Sequence, residues 1–271
     1  MLIPGLIGAR CVTVDHLQLD QGSVSVSDSS CYRFATCRGS LVVESRKLQA
    51  SSRKLDKGPV LCYRIFKEKE IMKTEKALFI IGGSLSKPSK MPGWSIGLPA
   101  KECKTGHKLR DVKGSVCYDC YALKGCYVFK VVQQAQYRRL KAIRDPQWVE
   151  AMAHLINSKR PRVFRWHDSG DVQDLEHLQK IYEVCRLTPS KRHWMPTREA
   201  WIKQHLQDKP DNLVIRLSSP MVDQGPVTSW PNTSTVVTSG ASCPAPKQNN
   251  ECGSCRQCWD SNIKNISYGK H

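Results

Sequence analysis

The sequence predicts an α/β fold, either a partial (β/α) barrel or an open parallel sheet, with a cysteine-rich metal-binding C-terminal segment. Two observations support this prediction. From residue 162 onward, short apolar stretches alternate with stretches of helical periodicity, which is typical of βαβ units with parallel strands. Four cysteines then fall within residues 240–271, after the last predicted strand.

The chain of 271 residues divides by composition into two parts. Residues 1–71 are rich in serine and show no sustained amphipathic pattern, so we expect a poorly ordered N-terminal extension. Residues 72–271 are expected to form one α/β domain. Lys and Glu codons just before Met72 suit a purine-rich ribosome-binding sequence. We therefore hypothesise that Met72 is the natural start and that the extension is not native.

The elements of the second part are predicted in order along the chain. ALFIIGG, at residues 77–83, predicts a buried strand, and a loop rich in glycine, proline and lysine follows it. Helices are expected over residues 128–144 and over residues 146–157, where Pro146 stands at the first-turn position that proline favours. The remaining elements alternate strand and helix and end with a strand: 162–166, 174–187, 192–196, 199–207, 212–217 and 234–239.

Polar residues follow the predicted strands, where ligands of parallel sheets gather. The candidate catalytic residues are His167 and Asp168, which suit a hydroxyl, an amine or a proton in transit, and Arg198, which suits a carboxylate or phosphate. For Asp171, a role in the site and capping of the next helix, by it or by Ser169, are equal alternatives. Glu199 is either a site residue or a helix-start acid.

The C-terminal segment holds a C-x8-C-x2-C-x2-C pattern formed by Cys243, Cys252, Cys255 and Cys258. Four soft thiolates suit either Zn²⁺ or an iron-sulfur cluster. Two consecutive two-residue gaps resemble a compact ferredoxin-type pattern more than a zinc ribbon. We therefore predict a [4Fe-4S] cluster here, with zinc as the alternative.

A second cysteine set lies in the loop after the first predicted strand and consists of Cys103, Cys117 and Cys120. Three ligands leave one coordination position open, for substrate or S-adenosylmethionine on iron, or for water on zinc. This set is the candidate cofactor-binding site. If Cys126 or His107 supplies a fourth ligand, the site is structural instead.

The charge and the cysteine content restrict the class of protein. A net charge of +18 favours polyanionic partners, so nucleic acid or a nucleotide is an expected partner, although a scattered basic surface is an equal alternative. No apolar run is long enough to span a membrane, and no secretory signal is present, which predicts a cytoplasmic protein without a membrane partner. In a reducing compartment, thirteen cysteines favour metal binding over disulfides. The oligomeric state is not predicted.

Several motifs in order resemble the phage gene product 88 family over about residues 76–271: MPGWSIGLPAKECKTG, KGSVCYDCYALKG, FRWHDSGDV, HWMPTRE and CGSCRQCWDSNIKNISYGKH. The resemblance implies a phage-encoded protein of uncharacterised activity in the host cytoplasm. The loop that ends C-x2-C-Y-A is more distantly similar to radical S-adenosylmethionine barrels, which hold a cluster at this topological position. It differs from their usual C-x3-C-x2-C pattern, because its first gap has 13 residues and Asp119 occupies the aromatic position.

Two functions follow as expectations. The first is a phage-type iron-sulfur enzyme, radical S-adenosylmethionine-like, with the three-cysteine loop as reactive site and the C-terminal site as auxiliary cluster. Its substrate is expected to be a nucleotide, a nucleic acid or a peptide. The alternative is a non-catalytic, metal-stabilised protein that binds nucleic acid or a host partner.

Overall fold

The computed structural model describes residues 72–270 and four strands nearer the N-terminus. The chain divides into two compact units, Met1–Ile71 and Met72–His271, with the boundary where composition predicts it. The four strands of the first unit are β1 Arg10–Thr13, β2 Leu41–Glu44, β3 Lys47–Gln49 and β4 Val60–Ile65. They form one sheet in the order β1-β4-β2-β3 and were not predicted from the sequence. The prediction of poor order in this extension concerns residues that lie mostly outside those described.

The second unit contains the predicted α/β pattern. Its helices and strands are α1 Thr74–Ile80, β5 Trp94–Ile96, α2 Lys104–Leu109, α3 Lys130–Ala142, α4 Trp148–Asn157, β6 Val163–Trp166, α5 Leu175–Leu187, β7 Arg192–Thr197, β8 Leu213–Ser218, β9 Thr233–Val237 and β10 Asn265–Gly269. Short 3₁₀ helices lie between them at Ala100–Glu102, Tyr121–Leu123, Gly125–Val128, Ala200–Asp208, Ala245–Lys247 and Gln257–Trp259.

The six strands of this unit form one parallel sheet in the order β10-β9-β8-β7-β6-β5. This sequential order is that of strands in a barrel wall. Among the described residues, however, β5 and β10 do not pair, so the sheet is open and the predicted open parallel sheet is confirmed. Because the strand order never reverses, no central crevice forms. The carboxyl ends of the strands are therefore the expected ligand rim.

The strand predicted at ALFIIGG is wrong, because this segment forms helix α1. Ala77, Ile80 and Ile81 are all buried, and their spacing of three and four residues places them on one face of a helix. A short apolar run does not distinguish a buried strand from a buried helix. The first strand of the parallel sheet is instead β5, only three residues long, which was not predicted.

Helix α3 forms where it was predicted, and polar side chains make up part of its buried face. Val131 is 68% exposed, whereas Gln136 and Arg139 are buried. The Arg139 guanidinium donates to the carbonyl of Ser84 at 2.8 Å. Hydrogen bonds from polar side chains therefore help to fix α3 beside the sheet.

The core of the unit lies between the sheet and helices α1, α4 and α5. Trp148 on α4 packs against Trp166 on β6, with ring centroids 6.2 Å apart, and Phe164 meets Trp166 edge to face at 5.0 Å. His193, Trp194 and Cys185 are buried as well. Burial of large apolar side chains, worth roughly 1.5–3 kcal/mol each, fixes the strand ends that carry the polar groups.

Candidate functional site

The turn after β6 packs tightly against the segment after β5. His167 has a φ of 55° and Gly170 a φ of 75°, so both adopt left-handed backbone conformations. A Cβ atom on Gly170 would lie 2.6 Å from Cβ of Leu98, which leaves no space for a side chain. This close approach brings Asp171 to the loop that carries the first cysteine set.

Cys103, Cys117 and Cys120 lie close together at this rim, although they span residues 103–120. A Cβ atom on Gly106 of α2 would lie 3.6 Å from Sγ of Cys117 and 3.8 Å from Sγ of Cys103. Burial raises the pKa of the Cys103 thiol, and Asp171, Cys120 and Cys117 raise it further. Burial also raises the pKa of Cys120, and Cys117 adds to that effect. The three thiols thus lie within electrostatic reach of one another, and a shared metal site remains a prediction.

Glu199, at the end of β7, holds this loop in place. Its buried carboxylate accepts hydrogen bonds from the backbone N–H of Thr105 and from Thr105 Oγ1, each at 2.9 Å. It also accepts from the Trp201 indole N–H at 3.1 Å. Its side chain makes no capping hydrogen bond to the helix that follows it and instead holds the start of α2, which is distant in sequence. A role of Glu199 in the site remains a prediction.

Asp171 is a residue of the rim and not a helix cap. Its carboxylate accepts from Thr197 Oγ1 at 2.8 Å and from the backbone N–H of Arg198 at 2.7 Å. Burial raises its pKa to about 7. The cap predicted at Ser169 or Asp171 is wrong. Asp174 caps α5, by accepting from the backbone N–H three residues further on at 2.9 Å.

His167 and Asp168 lie buried beneath the rim. The His167 ring is edge to face with His177 at 5.4 Å, and neither of its nitrogens has a hydrogen-bond partner in the described part of the chain. Burial holds the pKa of His167 well below its usual value. Asp168 Oδ2 accepts from Ser95 Oγ at 3.0 Å, while Oδ1 is buried and without a partner among the described residues. Catalytic roles for both remain predictions.

Arg198 connects the ends of two strands. Its guanidinium donates to the backbone carbonyl of Ser218 at 2.6 Å and to that of Ser219. Its charge acts to lower the pKa of the Cys120 thiol. The structure thus shows a strand-bridging contact for Arg198 close to the three-cysteine loop, and its catalytic role remains a prediction.

Cys243, Cys252, Cys255 and Cys258 are also neighbours in the C-terminal segment. Burial raises the pKa of Cys252, and Cys243 and Cys255 raise it further. Burial raises the pKa of Cys258 to about 11, and Cys243 again adds to the effect. The Cys258 thiol lies 3.2 Å from the hydroxyl of Tyr268 on β10, which places the end of the described chain beside this cysteine.

Arg216, on β8, anchors the C-terminal segment and was not identified from the sequence. Its side chain is fully buried. It donates to four backbone carbonyls of this segment at 2.7–3.2 Å, those of Gln257, Cys258, Asp260 and Ile263. The only available signal was an arginine inside the apolar strand LVIRLS. A buried cation requires such acceptors, so this contact fixes the segment that carries Cys258.

Arg165, on β6, lies between the two cysteine sites and was also missed. Its guanidinium donates to the hydroxyl of Tyr121 at 3.1 Å and stacks on Trp194 at 4.8 Å. Tyr121 directly follows Cys120, and the charge of Arg165 acts to lower the pKa of Cys258. One side chain of the sheet thus reaches both sites.

The donor chemistry of the two sets fits a metal, but the side chains do not form a closed ligand set. Within residues 72–270, no group of three or more His, Cys, Asp or Glu side chains is arranged to hold a metal ion. The cysteine sets nevertheless consist of soft donors whose mutual proximity raises the pKa of several thiols. A bound cation would favour the thiolate forms and offset that repulsion. The thiols of each set must therefore move closer together if a metal binds.

A cleft of about 550 Å³ adjoins the three-cysteine loop. Its polar wall comes from the α2 segment and from the start of α3, and its remaining wall is aromatic and aliphatic. These walls include the side chains of Lys101, His107, Arg110, Tyr127, Gln133 and Tyr137. Because the charge of Arg110 acts on both Cys103 and Cys120, the cleft and the thiols lie within electrostatic reach of each other.

Comparison with known proteins gives one match. A family model described as gene product 88 matches residues 65–261, a range that includes both cysteine sets. Neither a curated protein nor a solved structure matches the chain. Among the described residues, no helix has the length and apolar character needed to cross a membrane.

Proposed function

The chain belongs to the gene product 88 family, and we propose that it is an iron-sulfur enzyme with its reactive centre at the three-cysteine loop. One observation carries the proposal. Cys103, Cys117 and Cys120 come together at the carboxyl rim of a parallel sheet, beside Asp171 and an open cleft. Three thiolates leave one metal position free for a ligand.

The two cysteine sets have different tasks in this proposal. Cys243, Cys252, Cys255 and Cys258 would hold an auxiliary cluster with four protein ligands, and zinc is the alternative metal at either site. At the three-cysteine loop, a [4Fe-4S] cluster would supply an iron able to bind the amino and carboxyl groups of S-adenosylmethionine. The support for S-adenosylmethionine is the position of the loop after the first strand of the parallel sheet.

The chain's own residues prepare the loop for this task. Arg110 and Arg198 lower the pKa of Cys120 against the effect of burial, which favours the thiolate that a metal needs. Glu199 fixes the start of α2, directly after Cys103. His167, Asp168 and Asp171 place titratable groups at or beneath the rim. These are the groups we propose for proton transfer.

Turnover of S-adenosylmethionine tests the proposal. The protein, purified without oxygen and reduced with dithionite, is expected to release 5′-deoxyadenosine, as measured by liquid chromatography. Cys120→Ser should abolish the product, while Cys126→Ser, which changes a nearby exposed thiol, should retain it. An iron-loaded protein without product would reject S-adenosylmethionine as co-substrate. Stoichiometric zinc without iron would reject the iron-sulfur proposal altogether.

A second function is favoured by the charge distribution. Residues 101–144 contain eleven Lys and Arg against three Asp and Glu. Most of these basic side chains are exposed. This surface suits a non-catalytic protein that is stabilised by metal and binds nucleic acid or a host partner. Salt-sensitive nucleic-acid binding without any turnover would favour this function over the first.

A further inference from the structure

We infer that the cleft beside the three-cysteine loop binds one nucleotide of a single-stranded nucleic acid, with its base on tyrosine and its phosphate on the basic wall. The inference rests on the proposed function, because it names the substrate class of that same centre. It is argued from the chemistry of the cleft walls, from their charge and from the size of the cleft.

The aromatic wall offers a fixed ring to a base. Tyr137 on α3 is 43% exposed, and its hydroxyl donates to Glu102 Oε1 at 3.0 Å, which holds the ring in place. Tyr127 also lines the cleft and meets Tyr121 edge to face at 5.9 Å. Nucleic-acid bases stack on such rings, and a duplex keeps its bases unavailable for this contact. The wall therefore selects an unpaired nucleotide.

A second part of the cleft wall offers positive charge to a phosphate. Lys101, His107 and Arg110 line it, and Arg110 is oriented by the carbonyl of Ala100 and by Nδ1 of His107 at 3.3 Å. None of the residues that line the cleft is acidic. Glu102 lies at the edge, where its carboxylate is engaged by Tyr137. An anion is thus favoured in the cleft, and the excess of Lys and Arg in residues 101–144 extends this preference to the phosphates on either side.

The volume of the cleft suits a ligand of this size. About 550 Å³ lies within the range of roughly 300–1,000 Å³ found for small-molecule sites. Gln133 adds an amide that both donates and accepts hydrogen bonds, as the edge of a base requires. A nucleotide held here would lie next to the thiols of the proposed reactive centre.

Fluorescence anisotropy with the full chain and a labelled 15-nucleotide oligo(dT) tests this inference. Oligo(rU) of the same length distinguishes RNA from DNA, and a 15-base-pair duplex tests the requirement for a single strand. Tyr137→Ala is expected to weaken oligo(dT) binding about tenfold, the loss of roughly one stacked base, while Tyr137→Phe, which keeps the ring but loses its hydrogen bond to Glu102, should bind more tightly than Tyr137→Ala. Phe79→Ala removes a ring that is 87% exposed on α1 and serves as the matched control.

The basic wall is tested by Lys101→Gln, with Lys203→Gln as the control for loss of one exposed charge elsewhere. Lys101→Gln is expected to weaken binding several-fold and to reduce the slope of log binding constant against log salt concentration by about one. Lys203→Gln should have a smaller effect on both the affinity and this slope. Thermal melts confirm that every variant is folded.

Two results would overturn the nucleotide cleft. One is equal or tighter binding of the duplex. The other is Tyr137→Ala binding that is no weaker than Phe79→Ala binding. Iron analysis of the same samples separates this failure from failure of the proposed function. If the protein carries iron but Tyr137→Ala and Lys101→Gln do not weaken nucleic-acid binding, the nucleotide cleft alone is rejected. If the protein carries no iron but its binding still depends on Tyr137 and Lys101, the cleft is supported and the iron-sulfur enzyme is rejected.

Discussion

The two cysteine sites are held by opposite kinds of contact. The C-terminal segment is fixed by a cation, Arg216, which is fully buried and surrounded by backbone carbonyls. The three-cysteine loop is fixed by an anion, Glu199, at the start of the short helix α2, and it borders an open cleft. The Arg216 guanidinium holds the C-terminal segment through several carbonyls at once. The Glu199 carboxylate holds only the start of α2 and leaves the three-cysteine loop beside an open cleft. The proposed function assigns a structural site to the C-terminal segment and a reactive site to the loop, and this difference in support is compatible with that assignment.

The largest expected effect comes from Arg216→Met. This change removes the buried donor that four backbone carbonyls of the C-terminal segment share, so we expect a loss of about 3–5 kcal/mol in the free energy of unfolding, measured by urea denaturation. Arg144→Gln is the control, because Arg144 is half-exposed and pairs with Asp174 and Glu176 at the surface. It should cost less than about 1 kcal/mol. Equal stability of the two variants would contradict the anchoring role of Arg216.

Acid should destabilise the sheet core beneath both sites. Burial lowers the pKa of His193 to about 3, with a further contribution from Lys191. In the unfolded chain this imidazole has its ordinary, higher pKa and takes up a proton first, so its contribution to stability is present above about pH 6.5 and is lost as the pH falls toward 3. Urea denaturation should show a loss of roughly 2 kcal/mol from this group between pH 6.5 and pH 5. His193→Gln should flatten that part of the profile, and an unchanged slope would exclude His193 as its source.

Glu199→Gln should affect only the loop site. The amide retains one acceptor but cannot receive all three hydrogen bonds from Thr105 and Trp201, so we expect the free energy of unfolding to fall by about 1–2 kcal/mol. We also expect less metal at the three-cysteine loop and unchanged metal at the C-terminal site. Gln207→Glu, an exposed reverse change at the surface, is the control in thermal melts and metal analysis. If Glu199→Gln lowered the metal content of the C-terminal site as well, the two sites would not be independent.

The smallest effect is expected from Cys126→Ser. Cys126 is exposed, and the loop site is proposed to have three cysteine ligands, so metal content and melting temperature should both match the wild type. His107→Gln gives the same test for the other candidate fourth ligand. Loss of loop metal in either variant would make this site a closed structural one and remove the contrast with the C-terminal segment.

Much of the parallel sheet was predictable because its strands carry local signals. Strands β6 to β9 and helices α3, α4 and α5 show apolar runs or helical periodicity between polar breaks. Strand β5 is too short to give such a signal, and the apolar run at residues 77–83 is compatible with either state. Local pattern thus predicts most strands and helices of this unit but misses β5, β10 and the helical state of α1.

The two cysteine sets are visible in the sequence as spacing patterns, but the residues that hold their segments in place are not. Arg216 contacts carbonyls more than forty residues later in the chain, and Glu199 caps a helix that begins 95 residues before it. Arg165 reaches the surroundings of both sites from inside a strand. These contacts depend on which strand ends are neighbours in the sheet, and the spacing of residues along the chain does not show which strands will be neighbours.

Metal analysis of cysteine variants tests the central claim most directly. Protein purified without oxygen should contain iron and sulfide, about four of each per site, and little zinc. Cys103→Ser should lose the loop portion while the chain remains as stable as the wild type, and Cys258→Ser should lose the C-terminal portion together with stability. Stoichiometric zinc without iron, or iron that both variants retain in full, would contradict the account.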